Sequence, residues 1–406
     1  QRSPWFGVAC CPSNITRFMP SIPGYVYAKT SDAIWVNLFM SNEAKIDMGA
    51  TAGIVRVTQD TRYPWDGAVK MTVEPEHPAK LTIHVRIPGW ARNEPVPGDL
   101  YHFANRARTN PVLKVNGKPV AIALEKGYAN ITREWKTGDT IDLDLPMPVR
   151  RVLANGEVAA DRGRVALERG PIVYAAEWVD NPKEKVRNVM LPDSAAVTAE
   201  FKPDLLKGVT VLKTHAVALS YDAQGKIVKT KEDLVAIPYY AWANRGRGQM
   251  IVWLPNSEAS AKPAPYPTIA TMAKVTTSGR KSPEPIHDGE APETSDDHSS
   301  YFDWWPTKGS TEWVEYAFDK PAAVSECELY WFDDTGHGEV RVPQNWRILY
   351  KDAAGQWVPV NGSSAYGVDK DKFNRVTFQS ISTSGLRLEV TMQPKFSAGL
   401  QEWKVK

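Results

Sequence analysis

The sequence predicts a mainly β protein: two consecutive antiparallel β-sandwiches and a C-terminal jelly roll, preceded by one short helix. Short β-branched runs of partly alternating polarity recur from residue 31 to the C-terminus, with Gly, Pro, Asn and Asp between them. Helical apolar spacing marks residues 1–27. The length, 406 residues, corresponds to roughly 2.7 domains at ~150 residues each.

Within residues 1–27, Ser13 is placed to cap a helix, and Ile15, Phe18, Met19 and Ile22 form its apolar stripe. Pro20 and Pro23 end or kink it. One amphipathic helix is not a domain, so its stripe is expected to pack on something outside this sequence. The opening Gln1-Arg2-Ser3-Pro4-Trp5 reads as the middle of a longer polypeptide.

The first sandwich is expected over 28–150. Ala33–Met40, Gly53–Thr58, Val69–Val73, Leu81–Ile87 and Thr140–Leu145 are its clearest strands, and Asn116-Gly117 marks a hairpin. The second, over 151–256, opens at Arg164–Tyr174 and closes with Val235–Trp242 and Met250–Pro255; residues 180–233 are more polar. Residues 257–267 have linker composition. The third unit, 268–406, has strands at Trp313–Phe318, Glu328–Phe332, Trp346–Tyr350, Arg375–Phe378 and Leu386–Val390.

Charge narrows the function. Forty-nine basic against 47 acidic side chains leave a net +2, which supplies no electrostatic footprint for nucleic acid or an anionic membrane. No run approaches the ~20 apolar residues of a membrane span. Three cysteines, Cys10, Cys11 and Cys327, are not a disulfide framework. Adjacent cysteines rarely close on each other, so Cys10-Cys11 points to metal ligation or a reactive thiolate, against a structural alternative. Two sulfurs cannot complete a tetrahedral zinc site. Cys327 lies in an apolar strand and reads as core.

The segment Trp5-Phe6-Gly7-Val8-Ala9-Cys10-Cys11-Pro12-Ser13-Asn14 resembles the Cys-Cys-Pro segment of the bacterial β-L-arabinofuranosidases, glycoside hydrolase family 127 and its relative 146. Tyr63-Pro64-Trp65-Asp66-Gly67, Val85–Ala91, Leu145-Pro146-Met147 and Leu167–Tyr174 resemble the same family's β region, in the family's order. The resemblance covers about residues 1–256 and implies an (α/α)6 catalytic barrel whose last helix is the one in 1–27, the rest lying N-terminal to Gln1. It further implies a retaining exo-glycosidase acting on arabinose-containing plant cell-wall glycans. Cys10 matches the nucleophile and a zinc ligand, Cys11 a second zinc ligand. The acid/base glutamate and the remaining zinc ligands match no residue here, so this chain alone is expected to be inactive. Export to the periplasm or outside the cell is implied as well.

The third unit is similar to discoidin-type (coagulation factor type C) jelly rolls in Ile286–Gly289, Phe302–Trp305, Trp313–Phe318 and the ending Gly399–Val405. That resemblance makes Asp288 and Glu402 candidate calcium ligands and Trp304 and Trp305 a candidate sugar-stacking platform, although neighbours on a strand face opposite ways and one should be core. The competing function is a non-catalytic carbohydrate-binding chain, or a glycosidase of related furanoside specificity. Asp66 reads as turn chemistry, Glu168 as a structural pair and His84 as a solvent-facing or satisfied histidine.

Overall fold

The computed structural model describes residues 10–182, 185–246 and 248–406. It is mainly β, and it divides into two compact units: one runs through Leu219 and takes in Val228–Ala264, the other comprises Ser220–Ile227 and Pro265–Lys406. No helix among the described residues is long and apolar enough to cross a membrane.

The first unit begins with the helix Cys10–Phe18, a 3-10 turn Met19–Ser21 and the four-residue helix Pro23–Val26. The breaks fall at the prolines, whose missing N–H groups are tolerated only in first turns. Ser13 is not the cap. The helix already runs at Cys10, and the Ser13 hydroxyl donates back to the Cys10 carbonyl at 3.1 Å. Ile15, Phe18 and Met19 are 62%, 55% and 59% exposed, so this part of the stripe is left uncovered among the described residues.

Val26 is buried and leads into the first sandwich. One sheet holds Tyr27–Lys29, Ala33–Val36, Ala79–Arg86, Tyr128–Trp135 and Leu124–Glu125. The other holds Asn42–Asp47, Ile54–Thr61, Ala68–Pro75, Asp139–Asp144, Val112–Val115 and Lys118–Val120. Alternation sorts the side chains: in Ala79–Arg86 the odd-numbered Leu81, Ile83 and Val85 enter the core, while Thr82, His84 and Arg86 face outward. Trp135 is fully buried and its indole N–H donates to the Leu81 carbonyl at 3.1 Å. The hairpin at Asn116-Gly117 forms as expected, both residues at positive φ (49° and 75°). One pairing departs from an antiparallel arrangement: Ala33–Val36 runs parallel to Ala79–Arg86.

A ten-stranded sheet follows, with Val149–Ala154, Arg164–Arg169, Ile172–Glu177, Val209–Tyr221 and Ile227–Pro238 at its centre. Tyr101–Phe103, earlier in sequence than the second sandwich was expected to start, pairs with Val152–Ala154 and joins this sheet. Residues with linker composition are tied down: Asn256 N–H and the Ser260 hydroxyl both donate to the Gly163 carbonyl, and Ala264 N–H donates to Leu219.

The second unit is one eight-stranded sheet bent around a core that includes Trp304, Tyr316, Cys327, Trp331, Trp346 and Trp403. Two runs expected as separate strands, 313–318 and 328–332, belong to one irregular strand, Thr311–Phe332, whose register slips between Ala317 and Ala322 and again between Val324 and Glu326. Asn374–Thr391 is likewise continuous. Val340–Arg341 pairs in parallel with Ser397–Ala398. Cys327 is fully buried, and burial pushes its thiol up to about 12, which fits an inert core residue.

Candidate functional site

Cys10 and Cys11 open the first helix, both exposed, with their sulfurs 3.7 Å apart. A tetrahedral zinc with Zn–S bonds of about 2.3 Å needs its sulfurs about 3.8 Å apart. The pair therefore fits two corners of such a site. No group of three or more His, Cys, Asp or Glu side chains suited to a metal occurs among the described residues. Two further ligands would have to come from elsewhere.

The four stretches singled out in the β region meet in space. The Gly67 carbonyl accepts from Leu145 N–H at 3.0 Å, and a Cβ on Gly67 would stand 1.8 Å from the Leu145 carbonyl oxygen. Only glycine permits that approach. Arg169 donates to the Trp65 carbonyl at 3.1 Å. Gly170, at φ +60°, lies against Met147, whose sulfur would be 2.8 Å from an added Cβ. Trp90 donates from its indole nitrogen to the Tyr63 hydroxyl at 3.2 Å. Trp65 donates likewise to the Tyr240 hydroxyl at 3.0 Å, which spacing in the sequence could not reveal.

The acidic residues read as turns and structure hold to that role in part. Asp66 accepts from Ala68 N–H at 3.2 Å, a local turn bond. His84 shares a 2.6 Å hydrogen bond between Nδ1 and Asn130 Oδ1 and stacks on Trp35, a satisfied histidine. Glu168 is buried and stands opposite Arg150 in the strand register. Burial pushes its carboxyl up to about 7, with the Arg150 charge pulling the other way.

In the second unit, Asp288 and Glu402 are brought together across 114 residues. Glu402 Oε2 accepts from Gly289 N–H at 3.1 Å, and Asp288 accepts from Glu290 N–H at 2.8 Å and from the Ser300 hydroxyl at 3.2 Å. Glu402 is fully buried, and its Oε1 has no hydrogen-bond partner. Desolvation first, then the neighbouring Asp288 charge, pushes Glu402 up to about 9; desolvation also pushes Asp288 up to about 6. Two carboxyls in one low-dielectric spot must share either a proton or a cation. The orphaned Oε1 and the oxygen-only donor set fit a hard cation such as calcium, with backbone carbonyls needed to reach six or more ligands.

The two tryptophans separate as the strand alternation requires. Trp304 is 3% exposed, packs edge-on to Phe302 and donates to Ser278, so it is core and cannot stack on a sugar. Trp305 is 53% exposed, with its indole nitrogen 3.3 Å from Glu339 Oε2.

Comparison with known proteins places these features. Residues 33–147 match the family description "Beta-L-arabinofuranosidase, GH127 middle domain", and residues 149–255 match "Glycoside hydrolase family 127 C-terminal domain". A non-reducing end β-L-arabinofuranosidase of Bifidobacterium longum subsp. longum is 36% identical over 273 residues, 62% of this chain and 38% of that protein. The solved structure of a GH127 β-arabinofuranosidase shares 44% identity at a TM-score of 0.61, covering 66% of this chain and 41% of the other. A GH127 β-L-arabinofuranosidase from Geobacillus stearothermophilus T6 shares 39% at 0.55, covering 63% and 38%. The chain thus spans about two fifths of the length of these relatives.

Proposed function

Because residues 33–147 and 149–255 are the middle and C-terminal domains of glycoside hydrolase family 127, we propose that this chain acts as part of a retaining exo-glycosidase. The enzyme releases β-L-arabinofuranose from arabinose-containing plant cell-wall glycans in the periplasm or outside the cell. The observation that carries the reading is the exposed Cys10–Cys11 pair, spaced at 3.7 Å on a helix that leads directly into those domains.

In this mechanism Cys10 is the nucleophile. Its Sγ forms a bond to the anomeric carbon as the bond from that carbon to the leaving oxygen breaks. A carboxylic acid of an (α/α)6 barrel gives its proton to the leaving oxygen, then takes one from water. The water oxygen displaces the sulfur, and two inversions give net retention. Cys10 and Cys11 would hold two corners of a zinc site completed by two ligands from the barrel, and a bound zinc would keep the Cys10 sulfur in its ionised, nucleophilic form at neutral pH. The exposed stripe of Ile15, Phe18 and Met19 gives that barrel an apolar face to pack on.

The test uses the full-length enzyme and a nitrophenyl β-L-arabinofuranoside. Cys10→Ala is expected to lower kcat by at least about a thousandfold. Full activity in that variant removes the nucleophile assignment.

A second reading, that the C-terminal unit anchors the enzyme to polysaccharide, is favoured by the exposure of Trp305. Calcium at Asp288 and Glu402 would there be structural, holding the loop that carries Gly289. Affinity electrophoresis on arabinan and pectic fractions tests it: retardation that Trp305→Ala abolishes supports anchoring, and unretarded migration on all of them rejects it.

A further inference from the structure

A cavity of about 380 Å³ in the first unit is lined by residues from three of the four converging stretches: Tyr63, then Arg86, Pro88 and Trp90, then Pro171. Asn37, Arg92 and Glu94 complete its polar lining. The volume falls in the range of small-molecule sites. Its walls are stiff. Prolines 88, 95, 97 and 171 fix the backbone on several sides. The loop from Gly89 closes on itself through a 2.9 Å bond from Glu94 N–H to the Gly89 carbonyl.

The charges in the cavity do not cancel. Glu94 is its carboxylate, and Arg92 already holds it through both terminal nitrogens, at 3.3 and 3.0 Å. Arg92 is anchored in turn by donating to the Ile87 carbonyl. Arg86 is different. It gives one N–H to the Asn37 carbonyl at 3.3 Å, and no carboxylate among the described residues lies within ion-pair distance of it. An arginine presents five N–H donors in a planar fork suited to two oxygens at once. Close by, the Tyr63 hydroxyl accepts from Trp90 and so keeps its own proton to donate. The Arg86 charge acts on that hydroxyl, which places the two donors in one neighbourhood. The cavity therefore offers a net positive charge, two donors and the Tyr63 and Trp90 rings beside them.

We propose that this cavity binds a carboxylated sugar ring, a hexuronate, with Arg86 and Tyr63 donating to the carboxylate and the aromatic walls meeting the ring. A neutral sugar would leave Arg86 without a counter-charge. A bare carboxylate would leave the aromatic walls and most of the volume unfilled. Asn37 and the paired Arg92–Glu94 remain for ring hydroxyls.

The experiment is calorimetric titration of the 406-residue chain, at low salt and neutral pH, with galacturonic acid, glucuronic acid, galactose, glucose and acetate. Both or one of the uronates should bind at least about tenfold more tightly than the neutral sugar of the same configuration and than acetate; the tighter of the two identifies the epimer. Arg86→Gln should erase that preference, and Tyr63→Phe should weaken uronate binding several-fold. Arg86→Lys, which keeps the charge but not the fork, should fall between. Thermal melts of each variant check that the fold is retained, since Arg86 is exposed and its replacement should leave the melting midpoint unchanged. Equal affinity for acid and neutral sugars, acetate binding as tightly as the uronates, unchanged binding by a folded Arg86→Gln, or no heat at millimolar uronate each overturns the assignment. Preference for a glutamate-containing peptide over the uronates overturns it in favour of a protein ligand.

Discussion

Two acidic pairs, one in each unit and each built on a buried glutamate, solve the same problem differently. In the first unit Glu177 and Asp180 both meet Arg245, which bonds Asp180 Oδ1 at 2.7 Å and also reaches Asp180 Oδ2 and Glu177. The second Glu177 oxygen accepts from Ala243 N–H at 3.1 Å. That cluster carries its cation within the chain. In the second unit Asp288 and Glu402 have no such guanidinium, and Glu402 Oε1 is left unpartnered. The contrast teaches that buried carboxyls are structural where the sequence supplies their counter-charge. Where it does not, they hold a proton or wait for an ion.

The comparison breaks most decisively at Arg245. Replacing it with Met leaves the buried Glu177 and the partly buried Asp180 without their cation and should destabilise the first unit by about 3–5 kcal/mol, read from its urea midpoint. Calcium should do the opposite in the second unit. At a hundredfold excess over its Kd it is expected to raise that unit's stability by about 2.7 kcal/mol, and a chelator should reverse this. Glu402→Gln, which can donate to Asp288 without carrying charge, should abolish the calcium response. In chelator at pH 8 it should stabilise the unit by about 1–3 kcal/mol.

The sign follows from the raised carboxyls. Glu402 keeps its proton when folded up to about pH 9 but loses it near 4.5 when unfolded. Over that window the native state binds more protons, so stability falls as pH rises. A calcium-free melt series that rises instead between pH 5 and 9 refutes the shared-proton reading. The smallest effect belongs to Glu168, whose carboxyl stands at about 7 beside Arg150. Glu168→Gln should gain stability above pH 7 and almost none at pH 4, because the wild-type carboxyl is then mostly protonated in both states.

Much of the fold was legible in the sequence because alternation and turn chemistry are local. Leu81–Ile87 and the Asn116-Gly117 turn announce themselves within a few residues. Thr311–Phe332 does not, because Asp319-Lys320-Pro321 imitates a turn inside a strand that merely slips register there. The outer half of Ile227–Pro238 is exposed on both faces, so its Lys and Thr residues carry no apolar period. Sites behave the same way. Cys10-Cys11 is visible as neighbours, and its misplaced Ser13 cap reflects a helix that starts three residues earlier than Ser13. The cavity around Arg86 was not visible, since Tyr63, Trp90 and Pro171 sit in loops that leave three different sheets and meet only in the folded chain.

The fastening of residues 256–264 sets where the polypeptide can be divided. Cutting after Asn256, where composition invites it, would discard the Ser260 and Ala264 anchors onto Gly163 and Leu219 and leave a raw edge on the fragment. Proteases that prefer slack chain should pass over this stretch, and a clean excision of the catalytic family's β portion has to run through Ala264.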